Sequence, residues 1–486
     1  MSSQSIAEPT PSAPTQNEPI EPGIGEHPAP ETNATTSIMD LWTGEFRGTT
    51  LAIFLLMFLT AFEALAVATA MPTVVADLGG IALYGIAFAA PMATGVIAMT
   101  ISGFWNDKSG PGSPIMTGVT LFSLGLLVAG VAPSMLVIVM GRSLQGLGAG
   151  MLSVSLYVMI GHLYPERLRP RMFSLLAAAW VLPALVGPGI AGVVTEHLGW
   201  RWLFLGVPVL AVGAATILRP TLSNIPRDET ASDLRIGTRP LWAIAAALGI
   251  IVLNRAGQRD DTYWPFLLVA SLVAIGISVP RLVPVGTWRA AHGLPTVIAI
   301  RGLIAAAFVG TEAYLPLLLK NERGLSPSLA GLVLTAGALS WFVGSWIAGQ
   351  PEHRLSNAAR IRVGALLIGA GITAEIATIS PTVPVLVGTL GWGLAGLGMG
   401  LVYPILSTTT LAMSKPDEQG ANSSALQINE SLSGAVVLAI GGALFASLVE
   451  TATHEAYIVN FGITLVLALI AAAIATRIGT SPAVEQ

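Results

Sequence analysis

Six ionisable residues stand inside long apolar stretches of this 486-residue chain: Glu63, Arg142, Arg301, Glu312, Glu375 and Glu430. A charge held in hydrocarbon costs several kcal/mol and normally faces a cavity or a partner, so chemistry is to be sought among these six. Glu63 lies about fourteen residues, roughly 21 Å, into its stretch, and Arg142 about eight residues, roughly 12 Å, into another entered from the opposite side. The two therefore sit at similar depth. Desolvation favours the neutral carboxyl, whereas a nearby guanidinium favours the carboxylate, so a movement that changes their separation would take up or release a proton. The alternative is a static ion pair that fixes helix packing, and these two residues alone leave both readings open.

Glu312 and Glu430, the latter close to Gln427 and Asn429, are candidates for a second protonation site or for holding a cation, Glu312 ahead of Glu430. Arg301 stands about seven residues from the end of its stretch, where it either snorkels to the surface or pairs with a carboxylate. Glu375 is near an outer end and is expected to reach water; for both residues a structural role is the expectation. Trp180, Trp341 and Trp392 fall well inside apolar stretches, where stacking or cation–π contact with a flat or cationic molecule competes with plain packing. With Tyr157, Tyr403, Arg301, Gln427 and Asn429 they form the set of candidate cavity-lining residues.

The elements that must carry these residues are set by composition. Hydrophobic residues make up 53% of the chain and charged ones 10%, against about 25% charged in soluble domains. The apolar residues gather into blocks long enough to cross a ~30 Å hydrocarbon core as helices. Fourteen are counted, at about 49–72, 82–105, 114–132, 134–158, 172–195, 202–219, 239–254, 264–280, 294–319, 328–349, 361–380, 384–411, 424–449 and 456–477. The seventh and eighth are short, and twelve spans is the alternative if that pair lies tilted in the interface. The expectation is an all-α polytopic membrane protein. Residues 46–219 would form one six-helix bundle, 220–290 a linker with two additional helices and 291–480 a second six-helix bundle. Residues 1–45, rich in Pro, Glu, Ser and Thr, read as a disordered acidic tail, and 481–486 as a short terminal tail. Two groups of six spans point to an internal repeat, carried by hydropathy, because the segments after spans two and ten share little identity.

Of the 23 Lys and Arg, 16 fall on the side of the N-terminus, which places both termini in the cytoplasm of a cell whose inner or plasma membrane holds the chain. A net charge of −4 without a basic run gives nucleic acid no footprint. The absence of Cys removes disulfides and thiolate chemistry. The six His lack metal-ligand spacing, no phosphate-binding loop of the Walker type occurs, and Ser, His and Asp are scattered. An enzyme is therefore not expected, an ATP-driven pump is excluded, and coupling to an ion gradient is left.

Several motifs occupy fixed places relative to the spans. Glu63-Ala-Leu-Ala-Val-Ala-Thr-Ala-Met-Pro72 ends the first, Gly103-Phe-Trp-Asn-Asp107-Lys108-Ser-Gly110 follows the second, and Gly141-Arg142-Ser-Leu-Gln145-Gly146-Leu-Gly148-Ala-Gly150 lies in the fourth. Gly187-Pro188-Gly189-Ile-Ala-Gly192 lies in the fifth, and Gly199-Trp-Arg-Trp-Leu-Phe204 opens the sixth. In these segments, and over most of residues 49–477, the chain resembles the major facilitator superfamily, in particular its fourteen-span drug:proton antiporters. Three departures stand out: Glu63 where Asp is usual, Pro111 where a second basic residue is usual, and Pro183 where the span-five motif has an earlier Gly.

The resemblance implies proton-coupled export of amphipathic or cationic compounds by alternating access, with Glu63 and Arg142 in proton transfer and Glu312 or Glu430 auxiliary. It implies Gly103, Asp107, Lys108, Gly110, Gln145, Gly146, Gly187, Pro188 and Gly192 in gating and helix packing. Export of a lipid, glycolipid or other endogenous metabolite on the same fold is the alternative, and a transporter-like sensor is a third. The expected partners are membrane lipids, a small amphipathic substrate and protons, with no cofactor and a monomeric chain.

Overall fold

The structure, a computed structural model, describes residues 41–42, 46–165, 168–223, 237–257, 262–350, 355–415 and 418–479. The expected tails at 1–45 and 481–486 lie outside the described residues, Leu41 and Trp42 excepted. Fourteen helices are long and apolar enough to span a membrane, and in hydrocarbon a helix satisfies its backbone groups internally. They are α1 (Phe46–Leu78), α2 (Tyr84–Ser109), α3 (Gly112–Gly130), α4 (Met135–Leu163), α5 (Arg169–His197), α6 (Arg201–Ser223), α7 (Arg239–Gly257), α8 (Trp264–Ser278), α9 (Leu294–Asn321), α10 (Pro327–Ala348), α11 (Asn357–Thr378), α12 (Val385–Met413), α13 (Gln419–Leu448) and α14 (Thr453–Ile474). The doubtful pair is helical across its length: α8 continues as a 3-10 turn over Val279–Arg281, so the apolar rod is 18 residues long. Gly199, at φ 94°, makes the tight turn between α5 and α6 with a backbone that side chains disfavour.

Helices α1–α6 and α9–α14 form two six-helix bundles. The extra hairpin sits outside them: α7 packs on α2 of one bundle and α13 of the other, while α8 leans mainly on α7 and buries only Ser271, Ile275 and Ser278. The two bundles are repeats, and identity between them, slight in the segments after spans two and ten, is higher where α4 and α12 correspond. Helices α4 and α12 each have 29 residues, and Gly391-Trp-Gly-Leu-Ala-Gly-Leu-Gly-Met-Gly400 repeats Gly141-Arg-Ser-Leu-Gln-Gly-Leu-Gly-Ala-Gly150 at the same register. The shared glycines have a steric cause. Gly146 lies against Pro91 of α2 and Gly148 against Phe122 of α3, just as Gly396 lies against Gly337 of α10 and Gly398 against Gly364 of α11. Small residues at these crossings let backbones touch, which is what holds helices together where lipid removes the hydrophobic drive.

Calling the surface at which α1 begins the tail face and the other the far face, the bundles meet in the far half. The Tyr84 hydroxyl donates to the Ala313 carbonyl at 2.6 Å, Lys320 Nζ donates to Thr73 Oγ1 at 3.0 Å, and Ser328 Oγ donates to Glu196 at 2.5 Å. Glycines seal the same level: a β-carbon on Gly192 would fall 2.7 Å from the Pro327 carbonyl oxygen, and one on Gly85 2.6 Å from the Gly442 Cα. Among the described residues no hydrogen bond joins the bundles in the tail half. The molecule is closed at the far face.

Gly85→Val is expected to hold that face apart, because its side chain would overlap the α13 backbone. In the cysteine-free chain, a single Thr73→Cys reporter should then react several-fold faster with a membrane-impermeant maleimide applied from the far side; unchanged labelling would contradict the seal.

Candidate functional site

Inside the first bundle, α1 and α4 bring Glu63 to Arg142. The guanidinium Nη1 lies 2.5 Å from Glu63 Oε1. The Gln145 amide donates to the other carboxylate oxygen, Oε2. Arg142 Nη1 also donates to Gln145 Oε1 at 2.7 Å, and its Nε to the Ala87 carbonyl of α2 at 3.2 Å. Arg142 and Gln145 share a face because three residues apart is nearly one helical turn. All three side chains are buried, at 2%, 4% and 4% exposure. The network is closed: each carboxylate oxygen has a donor, and the arginine is held by side chains and a backbone carbonyl together. The sequence reading placed Gln145 among the gating residues; the structure makes it a direct partner of Glu63, a role its three-residue spacing from Arg142 already signalled.

The second bundle holds another ion pair. Arg301 of α9 meets Glu430 of α13 at 2.8 Å, lies 3.5 Å from the ring centroid of Tyr403 and donates to Ser407 Oγ at 3.4 Å. The Tyr403 hydroxyl donates to the other oxygen of Glu430 at 3.3 Å. Of the two alternatives for Arg301, pairing is the one found. An aromatic group extends from this pair: Tyr403 lies 5.1 Å from Trp341, Trp341 5.4 Å from Phe308, and Phe308 stacks on Trp392 at 4.5 Å.

The other candidates disperse. Trp392 is 1% exposed and wedged between Phe308 and Gly337, so it is a packing residue in this state and not a cavity wall. Asn429 is buried with its amide on the Ile298 carbonyl, whereas Gln427 is exposed. Trp180 on α5 and Tyr157 on α4, the latter stacked on Phe173, are more than two-fifths exposed. Glu375 does not reach water as expected: it is fully buried between α11 and α12, neither oxygen has a hydrogen-bond partner, and it fills the room left by Gly388.

Of the motif after α2, Lys108 is exposed, Gly103 has open space and Gly110 turns the chain at φ 72°, while the Asp107 side chain lies outside the described ones. Gly187, Pro188 and Gly192 lie on a continuous α5, and Pro188 and Gly192 meet α10 at Gly331 and Pro327. The Gly199-Trp-Arg stretch has a use the sequence did not disclose: Trp200 Nε1 and Arg201 both hold Asp77 at the end of α1, at 3.0 and 3.1 Å. A recess of about 540 Å³ lies beside this brace at the far face, lined in part by Thr73, Asp77, Thr195 and Trp202, and distant from the buried pair.

Two repeated six-helix bundles around buried charges, sealed at one face, define the fold of a membrane transporter. The chain belongs to the Major Facilitator Superfamily, whose family model matches residues 53–438. It is 24% identical over 406 residues to the multidrug transporter protein MdtP of Bacillus subtilis, covering 81% of this chain and 74% of that one. It is 28% identical over 427 residues to a probable multidrug-efflux transporter of Mycobacterium tuberculosis, covering 83% and 88%. Among solved structures it is similar to a peptide transporter POT in complex with sulfate, with a TM-score of 0.67 at 17% identity, covering 91% of this chain and 99% of that one. It is also similar to a bacterial homologue of the human lysosomal transporter Spinster in an inward-facing, occupied conformation, with a TM-score of 0.62 at 16% identity, covering 90% and 98%.

Removing one partner of a buried pair strands the other charge at a cost of about 3–5 kcal/mol. Arg142→Met is therefore expected to lower the thermal midpoint of the purified protein strongly, and adding Glu63→Gln to recover part of the loss. A double variant less stable than Arg142→Met would show that the charge pair is not what Arg142 serves.

Proposed function

We propose that the protein is a proton-coupled exporter of amphipathic and cationic compounds, a multidrug efflux antiporter. The Glu63–Arg142–Gln145 network carries the reading. A buried carboxylate held by a guanidinium and an amide is a proton acceptor whose readiness to take a proton depends on helix positions. In the state described, sealed at the far face, Glu63 is paired with Arg142, the arrangement expected of a carrier that has given up its proton on the tail side. Substrate enters between the bundles from that side. Opening of the far half moves α1 and α4 relative to each other, loosens the hold on Glu63 and favours its protonation from the far side. Return to the tail-open state re-forms the pair and expels the proton. Export follows if the tail face is cytoplasmic, as the distribution of Lys and Arg favours, in a cell membrane crossed fourteen times. The names of the relatives from Bacillus subtilis and Mycobacterium tuberculosis support drug-like cargo.

The test is transport of a cationic dye and of a fluorescent lipid in proteoliposomes under an imposed pH gradient. Gradient-driven dye movement is expected in the native chain and should fall on the order of a hundredfold in Glu63→Gln, the lower range for losing a proton-transferring group. Dye movement that persists in Glu63→Gln would remove Glu63 from the coupling role, and lipid movement without dye movement would change the cargo.

A further inference from the structure

The repeat places a second carboxylic acid at nearly the depth of Glu63, but without its partners. Glu63 is the eighteenth residue of α1 and Glu312 the nineteenth of α9, each followed by Ala. The eighth residue of α4 is Arg142, whereas the eighth of α12 is Trp392, and the place of Gln145 is taken by Ala395. Trp392 turns to Phe308 and Gly337 and offers no charge. Of the two cations on the same helix, Arg301 is taken by Glu430 and Lys320 donates to Thr73 across the seam. Among the described residues Glu312 thus makes no hydrogen bond and no ion pair, and it is partly exposed.

Its surroundings are specific. Arg301, Phe308 and Glu312 follow at steps of seven and four residues, which puts them on one face of α9. That face meets Tyr403, with which Glu312 is in electrostatic reach, and Trp341. An unpaired carboxylate beside π-faces is the chemistry that recognises an organic cation: the acid supplies counter-charge, and the rings accept bulk without fixed geometry.

Resting on the exporter reading, we propose that Glu312, with Trp341 and Tyr403, is the subsite for the cationic head of the substrate, taking a quaternary onium or protonated amine. Neutral amphipathic molecules bind between the bundles without it. The two acids then divide the work, the paired Glu63 handling the proton and the unpaired Glu312 reading substrate charge.

The probes are methyltriphenylphosphonium, a permanent cation, and triphenylphosphine oxide, a neutral molecule of nearly the same shape, with binding measured on the full chain in lipid nanodiscs. Glu312→Gln is expected to weaken phosphonium binding about tenfold or more, leaving oxide binding unchanged as evidence of an intact fold. Glu312→Asp should retain most of the phosphonium affinity, and Trp341→Leu should weaken it. Equal phosphonium affinity in Glu312→Gln and the native chain, or equal loss of both ligands, would overturn the subsite while leaving the exporter reading in place. If the native chain binds neither probe, the exporter reading falls and the subsite with it.

Discussion

The cost of a charge away from water governs the interior of this molecule. Glu63 and Arg142 lie at a depth where neither would be tolerated alone, and each is satisfied by the other, with Gln145 and the Ala87 carbonyl filling the remaining directions. Such a pair has a single low-energy geometry and is strongly disfavoured in any other unless a proton arrives, because a neutral carboxyl can be released where a carboxylate cannot. Under the proposed coupling, the same property that makes the pair a packing element would make it responsive to protons. A static brace and a proton carrier are therefore distinguished by whether α1 and α4 move relative to each other.

Along α4 and α12 the crossings with their neighbours are backbone against backbone, so each bundle is tightly knit within itself. Among the described residues, contact between the bundles lies in the far half and the middle: the three hydrogen bonds above, the α5–α10 crossing at Gly192 and Gly331, the touch of Gly85 on Gly442 and that of Met92 on Gly434. Cohesion inside bundles and a limited seam between them favour motion of one bundle against the other, while α1, which packs on α5 and α6 more than on α4, is the member whose position against Arg142 can change. Helix α7 touches both partners of the α2–α13 seam, so the extra hairpin is mechanically linked to the seam although it lines no part of the charged interior.

The fold was legible because lipid imposes length and apolarity on each span, and fourteen blocks read from composition became fourteen helices. Glu63 and Arg142 were legible because charge is rare at such depth. What hydropathy could not reveal was pairing. Arg301 had two plausible fates, and only the packing of α9 on α13 gives it to Glu430. Glu375 looked close to water by residue count, yet α12 covers it, since Gly388 leaves room for its side chain. Trp392 was an aromatic at the right depth for a substrate wall, and the stack on Phe308 turns it into core. Each of these outcomes depends on which neighbour a helix face meets, which a single helix's sequence does not encode.

The central claim is that the Glu63–Arg142 pair exchanges a proton as the bundles rearrange. Its most direct test is to add a saturating permanent cation such as methyltriphenylphosphonium to unbuffered, purified protein and count protons with a pH indicator across a range of starting pH. If binding draws the chain to the tail-open, paired state, about one proton per chain is released wherever Glu63 begins protonated, and none is released by Glu63→Gln with its binding intact. Equal release from the native chain and Glu63→Gln, or binding without any proton release at any starting pH, would contradict the claim.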